Sequence, residues 1–572
     1  MGGSEIICQN CKKDFAIEPE DFDFYKKMQV PPPTWCWICR AHRRFTWRNE
    51  RMLYKRPSDA TGKEIFCMYS PDSNTKIYEN DYWYSDAWDA LDYGKDVDFT
   101  RPFFEQVGEL IHSVPLLARS VVRGINSDYV NNAGDVKNSY LIFNGNRVDD
   151  SMYSNGINVV QDCVDISHCS DCESCYECFW MTKCSRCYYS VDCENSYDLW
   201  FSKDCGGSSN CFGCVGLRGK QYYIFNEPYT KEEYQKKIKS YNLASYAMIQ
   251  EWRAKAEAFW LKFPVKNYVG TQNKDISGNY ISASKNVHYG YLVRNSENLK
   301  YCSFVQEEPY AKDCMDYSIW GGGTELAYEC HSCGLGASNI KFCAMTYTNV
   351  RDIEYSYMCI ASENLFGCVS VRNKQYCILN KQYTPDEYKA MVAKIKAHMV
   401  AMPYVDKMGR AYPYGEFFPA ELSPFGYNEC LSQEYFPLSR EQALAQGYKW
   451  SEQTNKNYQI TIQASQMPDT IDAFPADITQ QIFGCEHDKK CQQVCIGAFR
   501  VTPNELIFYK KSGLPLPRLC PSCRTFERFK HRTPFTLYDR TCNKCRVEIK
   551  TAYSPDRPEI IYCEPCYQAE VI

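Results

Sequence analysis

Cys8 and Cys11, and again Cys36 and Cys39, are C-x2-C pairs with 24 residues between them. Each such pair makes a knuckle that turns two sulfurs toward one ion, so the four thiolates suit a tetrahedral Zn²⁺. Cys542-x2-Cys545 and Cys563-x2-Cys566 form a second set of equal clarity. A third, Cys491, Cys495, Cys520 and Cys523, departs from the pattern because three residues part its first pair. Cys485 or His487 could supply the fourth donor there in place of Cys491. The spacing predicts three zinc ions per chain, each folding a module too small for an adequate core.

The remaining chemistry-bearing residues form no recognised catalytic set. There are 8 His, and no GxxxxGK[ST], no G-x-G-x-x-G after a strand and no H-E-x-x-H. Asp165 and His168 lie close in sequence, but a histidine beside an aspartate in a turn is ordinarily solvated. A zinc set with three ligands and an open position would be the enzymatic candidate, and the irregular set is where it would arise. The expectation is a non-enzymatic protein.

The two ends repeat each other. At an offset of 484, Cys11, Cys36 and Cys39 fall on Cys495, Cys520 and Cys523, and Tyr69-Ser70-Pro71-Asp72 falls on Tyr553-Ser554-Pro555-Asp556. Cys8 falls on Gln492, which is the reason its counterpart is open. The positions equivalent to Cys542, Cys545, Cys563 and Cys566 hold Ser58, Thr61, Glu79 and Tyr82. That copy is expected to have lost its metal and to survive by packing, with Tyr82, Trp83, Tyr84 and Trp88 as replacement core. CQNCKKDFAIEPEDFDFYKKMQVPPPTWCWICR and CIGAFRVTPNELIFYKKSGLPLPRLCPSCR resemble the bacterial probable-zinc-ribbon family in the first pair, the central Phe-Tyr, the Pro-rich approach and the final C-x2-C-R. The whole arrangement is also similar to multi-ribbon proteins of candidate-phylum bacteria. The resemblance implies zinc binding and no particular activity.

Arg40, Arg43, Arg44 and Arg48 follow the first module, and Arg524, Arg528 and Arg532 follow its copy. Placed beside Phe45, Trp47, Phe526 and Phe529, they suit phosphate contacts with base stacking, so RNA or the ribosome is one expected partner. Charge runs are also commonly solvated faces. Protein partners for a scaffold with structural zinc are the alternative.

Between 127 and 217 lie 11 cysteines, at 163, 169, 172, 175, 178, 184, 187, 193, 205, 211 and 214, all in one frame of three. Ser127, Val130, Val136, Ile142, Ser151, Ile157 and Leu199 share that frame. A period of 12 is superimposed, as in AsnSerTyr at 138, AspCysVal at 162 and ArgCysTyr at 186. Neither the helical nor the simple strand period describes this; a repeat architecture does. Twelve residues per coil with every third pointing inward resembles the narrow right-handed β-helix of certain insect antifreeze proteins. That resemblance implies disulfides between cysteines six apart, such as Cys163 with Cys169. A chain with zinc thiolates in a reducing compartment is expected to keep them as buried free thiols instead. Ice binding does not fit, because a regular Thr-x-Thr face is lacking. Tyr140, Met152, Val164, Tyr176, Tyr188, Trp200 and Phe212 recur once per coil and read as a strip for packing.

A second array keeps the frame through Gly278, Val287, Leu299 and Val305 and again from Ile353 to Val371, with slips between 307 and 350. Both arrays end alike, CFGCVGLRGKQYYIFNEPYTKEEY and LFGCVSVRNKQYCILNKQYTPDEY, and the capping boxes Thr230/Glu233 and Thr384/Glu387 predict a helix after each. The expected fold is mainly β: two parallel β-solenoid arrays with helical caps, flanked by zinc-ribbon modules. The expected divisions are ribbons at 1–56 and 57–100 (metal-free), array 101–228, helical connector 229–270, array 271–383, helix 384–400, a Pro- and aromatic-rich connector 401–484, and ribbons 485–540 and 541–572.

Composition supports a folded chain, with 44% hydrophobic and 24% charged residues in 572. Residues 1–56 carry 11 basic against 7 acidic groups, 484–572 carry 15 against 10, and 127–217 carry 5 against 13. Basic ends therefore flank an acidic middle. The start MGGSEIICQN has neither the charged opening nor the apolar run of a secretory signal, and the expected compartment is the cytoplasm without membrane attachment.

Overall fold

A computed structural model describes residues 4–306, 309–452, 458–491 and 494–571. Parallel strands in the first array advance by 12 residues per coil, pairing Val130 with Ile142, Met152 with Val164 and Val164 with Tyr176. The second array steps 11 residues from Lys274 to Lys285 and 12 to Glu297, then 15 to Lys312 and 13 each to Glu325, Ser338 and Arg351 before returning to 12. The slips read from sequence are thus coils with one to three extra residues. The fold is mainly β, a solenoid with few helices and cysteine-rich modules at its ends. No described helix is long and apolar enough to cross a membrane.

The inward frame works because small polar side chains satisfy the backbone of a coil too narrow for water. Ser139 and Ser151 donate to the carbonyls of Lys137 and Asp149 at 2.9 and 2.8 Å, and Cys163 donates to that of Gln161 at 3.2 Å. The same atoms accept from the N–H groups one coil on: Ser151 bonds Ser139 Oγ at 3.2 Å, Cys163 bonds Ser151 Oγ at 3.1 Å, and Cys175 bonds Cys163 Sγ at 3.3 Å. Serine gives way to cysteine along one column, from Ser139 and Ser151 to Cys163 and Cys175, each closing a buried backbone donor. All 34 cysteines are unpaired. The residue before each inward one is left-handed, as at Asn138 (φ 48°), Asn144 (φ 51°), Asp150 (φ 48°) and Asp162 (φ 51°), which accounts for the Asn and Asp between core positions.

Each array ends in an antiparallel hairpin, Gln221–Ile224 with Glu227–Pro228 and Gln375–Ile378 with Lys381–Gln382. The helices Lys231–Ser240 and Pro385–Ala401 follow, with both capping boxes formed. The expected helical stretch after the first array breaks before a second helix, Tyr246–Trp260. A helix at Phe103–Ser113 and a short strand at Leu116–Leu117 precede the first coil strand, Val121–Ile125. The arrays touch side by side: Arg294 donates to Ser170 Oγ at 2.6 Å and lies over Trp180, and Phe179 meets Tyr280 at 5.9 Å. The aromatic strip is packed, with Tyr188 stacked on Trp200 and Phe212 against Tyr241 and Trp252.

Candidate metal centres and the clasps that hold them

Three groups of four sulfurs, each within 4.8 Å of one another, lie in the ribbons: Cys8, Cys11, Cys36 and Cys39; Cys485, Cys495, Cys520 and Cys523; and Cys542, Cys545, Cys563 and Cys566. In the first, the Cys8 N–H bonds the Lys13 carbonyl at 2.9 Å and the Lys12 N–H returns to the Cys8 carbonyl at 3.0 Å, with Lys12 left-handed. The Cys36 N–H then donates to Cys8 Sγ at 3.2 Å. The last module repeats each bond, Cys542 to Val547 at 2.9 Å, Arg546 to Cys542 at 3.0 Å and Cys563 N–H to Cys542 Sγ at 3.3 Å. Burial opposes the Cys542 thiolate, but the N–H groups of Cys545, Cys563 and Lys544 outweigh it and hold the thiol down at about 6. Each second pair opens a helix, Trp37–Phe45, Pro521–Phe529 and Glu564–Val571, whose N-terminal N–H groups favour thiolate over thiol. Four thiolates without an open position can hold a metal ion and cross-link the module.

The irregular set is corrected. Cys485, not Cys491, completes the tetrad, because the Cys520 N–H donates to Cys485 Sγ at 3.2 Å, the bond that Cys36 makes to Cys8. Cys485 follows the strand Phe483–Gly484, which pairs with Ala498–Phe499 as Ser4–Ile7 pairs with Asp14–Ile17. Its knuckle is a longer loop, so the constant offset begins only after it and sets Cys8 against Gln492, which lies outside the described residues. Cys491 stands beside the tetrad, its sulfur 3.7 Å from that of Cys523.

The ribbon lacking the cysteine tetrad keeps the same frame. Ser58 bonds the Lys63 carbonyl at 2.8 Å and Gly62 returns to Ser58 at 2.9 Å. Where the metal would sit, the Ser58 and Thr61 hydroxyls both donate to Glu79, Thr61 at 2.8 Å. Tyr82 packs edge-on against Tyr78. A carboxylate bridging two hydroxyls has replaced the ion, in addition to the expected aromatic packing.

The arginines expected to face phosphate are turned inward. Arg40 holds Asp316 Oδ2 at 2.7 Å, Arg44 holds Asp316 Oδ1 and Glu329 Oε1 at 3.2 Å, and Arg43 holds Glu329 at 2.6 Å and Glu416 at 2.8 Å. Arg524 and Arg528 each hold Asp165 at 2.7 Å, and Arg524 reaches Glu505 at 3.1 Å. Arg48 bonds Ser332 at 2.6 Å, Glu50 at 2.7 Å and Asn144, so it touches both arrays. All six are buried, and Arg532, half-buried, lies over Phe529 and Tyr435 and bonds the Glu434 carbonyl at 3.1 Å. The charges of the six are spent on carboxylates of this chain. Burial would by itself weaken the charge on Arg40 and Arg524; the neighbours led by Asp316 for the first, and by Asp165 with Glu505 for the second, together offset it and keep both protonated. Asp165 and His168 are likewise buried, not solvated.

The two clasps are equivalent and crossed. Arg40 and Arg44 of the first ribbon grip the second array, whereas Arg524 and Arg528 of the third grip the first. Tyr25 meets Tyr328 edge-on at 5.5 Å, as Tyr509 meets Tyr176 at 5.6 Å. The second ribbon of each pair reaches both arrays: Ile77–Tyr78 pairs with Leu116–Leu117, which leads into the first, while Lys374 of the second holds Asp89 at 2.7 Å; Ile560–Tyr562 pairs with Pro264–Lys266, which leads into the second, while Tyr567 bonds Asp204 of the first. Each ribbon pair therefore spans both solenoids.

Sequence reasoning missed the acceptors Asp165, Asp316, Glu329, Glu416 and Glu505. Asp165, Asp316 and Glu329 occupy left-handed positions between core residues, where an acidic residue reads as a solvated corner. No protein-family model matches this chain, and no curated protein matches it.

Proposed function

We propose that the chain is a non-enzymatic zinc protein whose terminal ribbons clasp two β-solenoids into one rigid scaffold for protein partners. The crossed docking carries the reading: each ribbon pair binds both arrays through buried ion pairs and a shared strand. Closed four-thiolate sites suit structural Zn²⁺, and three such sets correspond to three ions. An RNA or ribosomal partner would need residues other than the buried arginines, and the acidic excess of 127–217 disfavours a phosphate backbone.

Two measurements on the full chain test this. Metal analysis under reductant should give at least three zinc equivalents, and chelation should open the ribbon–array contacts to hydrogen exchange or protease before the arrays unfold. Titration into labelled single-stranded and duplex RNA should show no binding at about 50 mM salt; micromolar binding that collapses toward about 200 mM would overturn the scaffold reading in favour of RNA.

A further inference from the structure

The loop that displaced Cys491 from the tetrad carries two donors that the four-cysteine centre does not use. Cys491 Sγ lies 3.7 Å from Cys523 Sγ, and a ring nitrogen of His487 lies within 4.8 Å of both sulfurs. His487 Nε2 is 3.9 Å from Glu527 Oε1. Its Nδ1 is buried without a hydrogen-bond partner, and so is Glu527 Oε1. A carboxylate facing one imidazole nitrogen while the other stays free is the arrangement that orients a metal-ligating histidine. None of the other ribbons has such a loop: their first pairs are Cys8-x2-Cys11 and Cys542-x2-Cys545.

We propose that His487, Cys491 and Cys523 form a fourth metal site, with the Cys523 thiolate bridging it to the Cys485, Cys495, Cys520 and Cys523 centre. Five thiolates against two divalent ions leave a net single negative charge, an ordinary balance for a two-metal thiolate cluster. Only three protein donors reach the second ion, so its fourth position takes water or a small exogenous ligand. His487 also lines a cleft with Glu177, Arg253, Glu486, Glu527 and Lys530, which gives solvent and small anions a path to it. Zinc suits a His/Cys/Cys donor set. The inference rests on metal in the neighbouring tetrad but not on the scaffold role.

Zinc content of the full-length chain, purified under reductant, decides it. Four equivalents are expected, falling to three in His487→Ala and in Cys491→Ala and returning to four in His487→Cys, which restores a donor. Cobalt replacing zinc should give a visible band belonging to the fourth equivalent that added azide shifts, since only an open position admits it. A count in His487→Ala and Cys491→Ala equal to that of the parent chain overturns the site. The paired Cys542→Ala/Cys545→Ala variant keeps the two readings apart: its loss of one equivalent shows that the four-cysteine reading stands when the fourth site fails, and no loss shows that reading failing as well.

Discussion

Arg528 and Asp165 meet at 2.7 Å across 363 positions of chain, both buried. Asp165 also takes Arg524, so one carboxylate of the first array holds two arginines of the third ribbon. Asp165→Ala would leave two guanidinium groups buried beside too little negative charge. The expected cost is about 3–5 kcal/mol, with early proteolysis of the 485–540 ribbon. Asp316→Ala should do the same to the first ribbon. Asp135→Ala, which breaks the exposed pair with Arg123, should cost about 1 kcal/mol or less. Thermal unfolding and limited proteolysis of the three variants check the ranking.

The metal-free ribbon invites the reverse experiment. Ser58 already holds the backbone bonds of a cysteine knuckle, and the Ser58 and Thr61 hydroxyls converge on Glu79. Replacing Ser58, Thr61, Glu79 and Tyr82 together by Cys should raise zinc content by one equivalent. Glu79→Ala alone should instead lower stability, by roughly 1–3 kcal/mol, through the loss of the partner of both hydroxyls. Metal analysis and denaturant unfolding read the two effects.

Inside the first array, chemistry and not volume should decide tolerance. Cys163→Ser keeps an atom that donates to Gln161 and accepts from Cys175, and should change stability by less than about 1 kcal/mol. Cys163→Ala strands the Cys175 N–H in a dry coil and should cost about 1–3 kcal/mol. Denaturation midpoints of the two variants give the test.

Acid should weaken the fold through buried imidazoles. His168 lies between Phe179 and Phe529 with neither nitrogen bonded, and burial, aided by Arg532 and Arg294, pushes its pKa down to about 3. Its folded value is below its unfolded value of about 6.5. Between these limits the unfolded chain binds the extra proton, so stability is full above pH 6.5 and falls as pH drops toward 3, by about 1.4 kcal/mol per unit for this group. His331 is depressed in the same direction. His168→Phe removes one such proton and should move the acid midpoint lower, measured by tryptophan fluorescence at constant metal.

The solenoid was legible because a coil this narrow admits only a few side chains, and Cys163, Ser151 and Ile157 record that restriction at every third position. The first and last cysteine tetrads were legible because two residues between cysteines fix a knuckle. Cys485 stood only as an alternative to Cys491, because the loop that separates it from Cys495 breaks the two-residue spacing. The arginines were found but misdirected: a guanidinium fork fits phosphate and carboxylate alike, and Arg40 with Arg44 marks one helix face without saying what lies opposite. That answer sits in Asp316, 276 positions from Arg40.

The crossed clasps also set an order of events for a chain made from its N-terminus. The first ribbon can complete its knuckles early, but its acceptors Asp316, Glu329 and Glu416 emerge hundreds of residues later. Until then three arginines and the aromatic face of helix Trp37–Phe45 wait uncovered. The first array waits in turn for Arg524 and Arg528, the latter 363 positions after Asp165. Neither half can finish alone, so a chain stopped before Arg524 and Arg528 exposes charged and apolar surface that quality control can recognise, and only a chain that has closed both clasps conceals it.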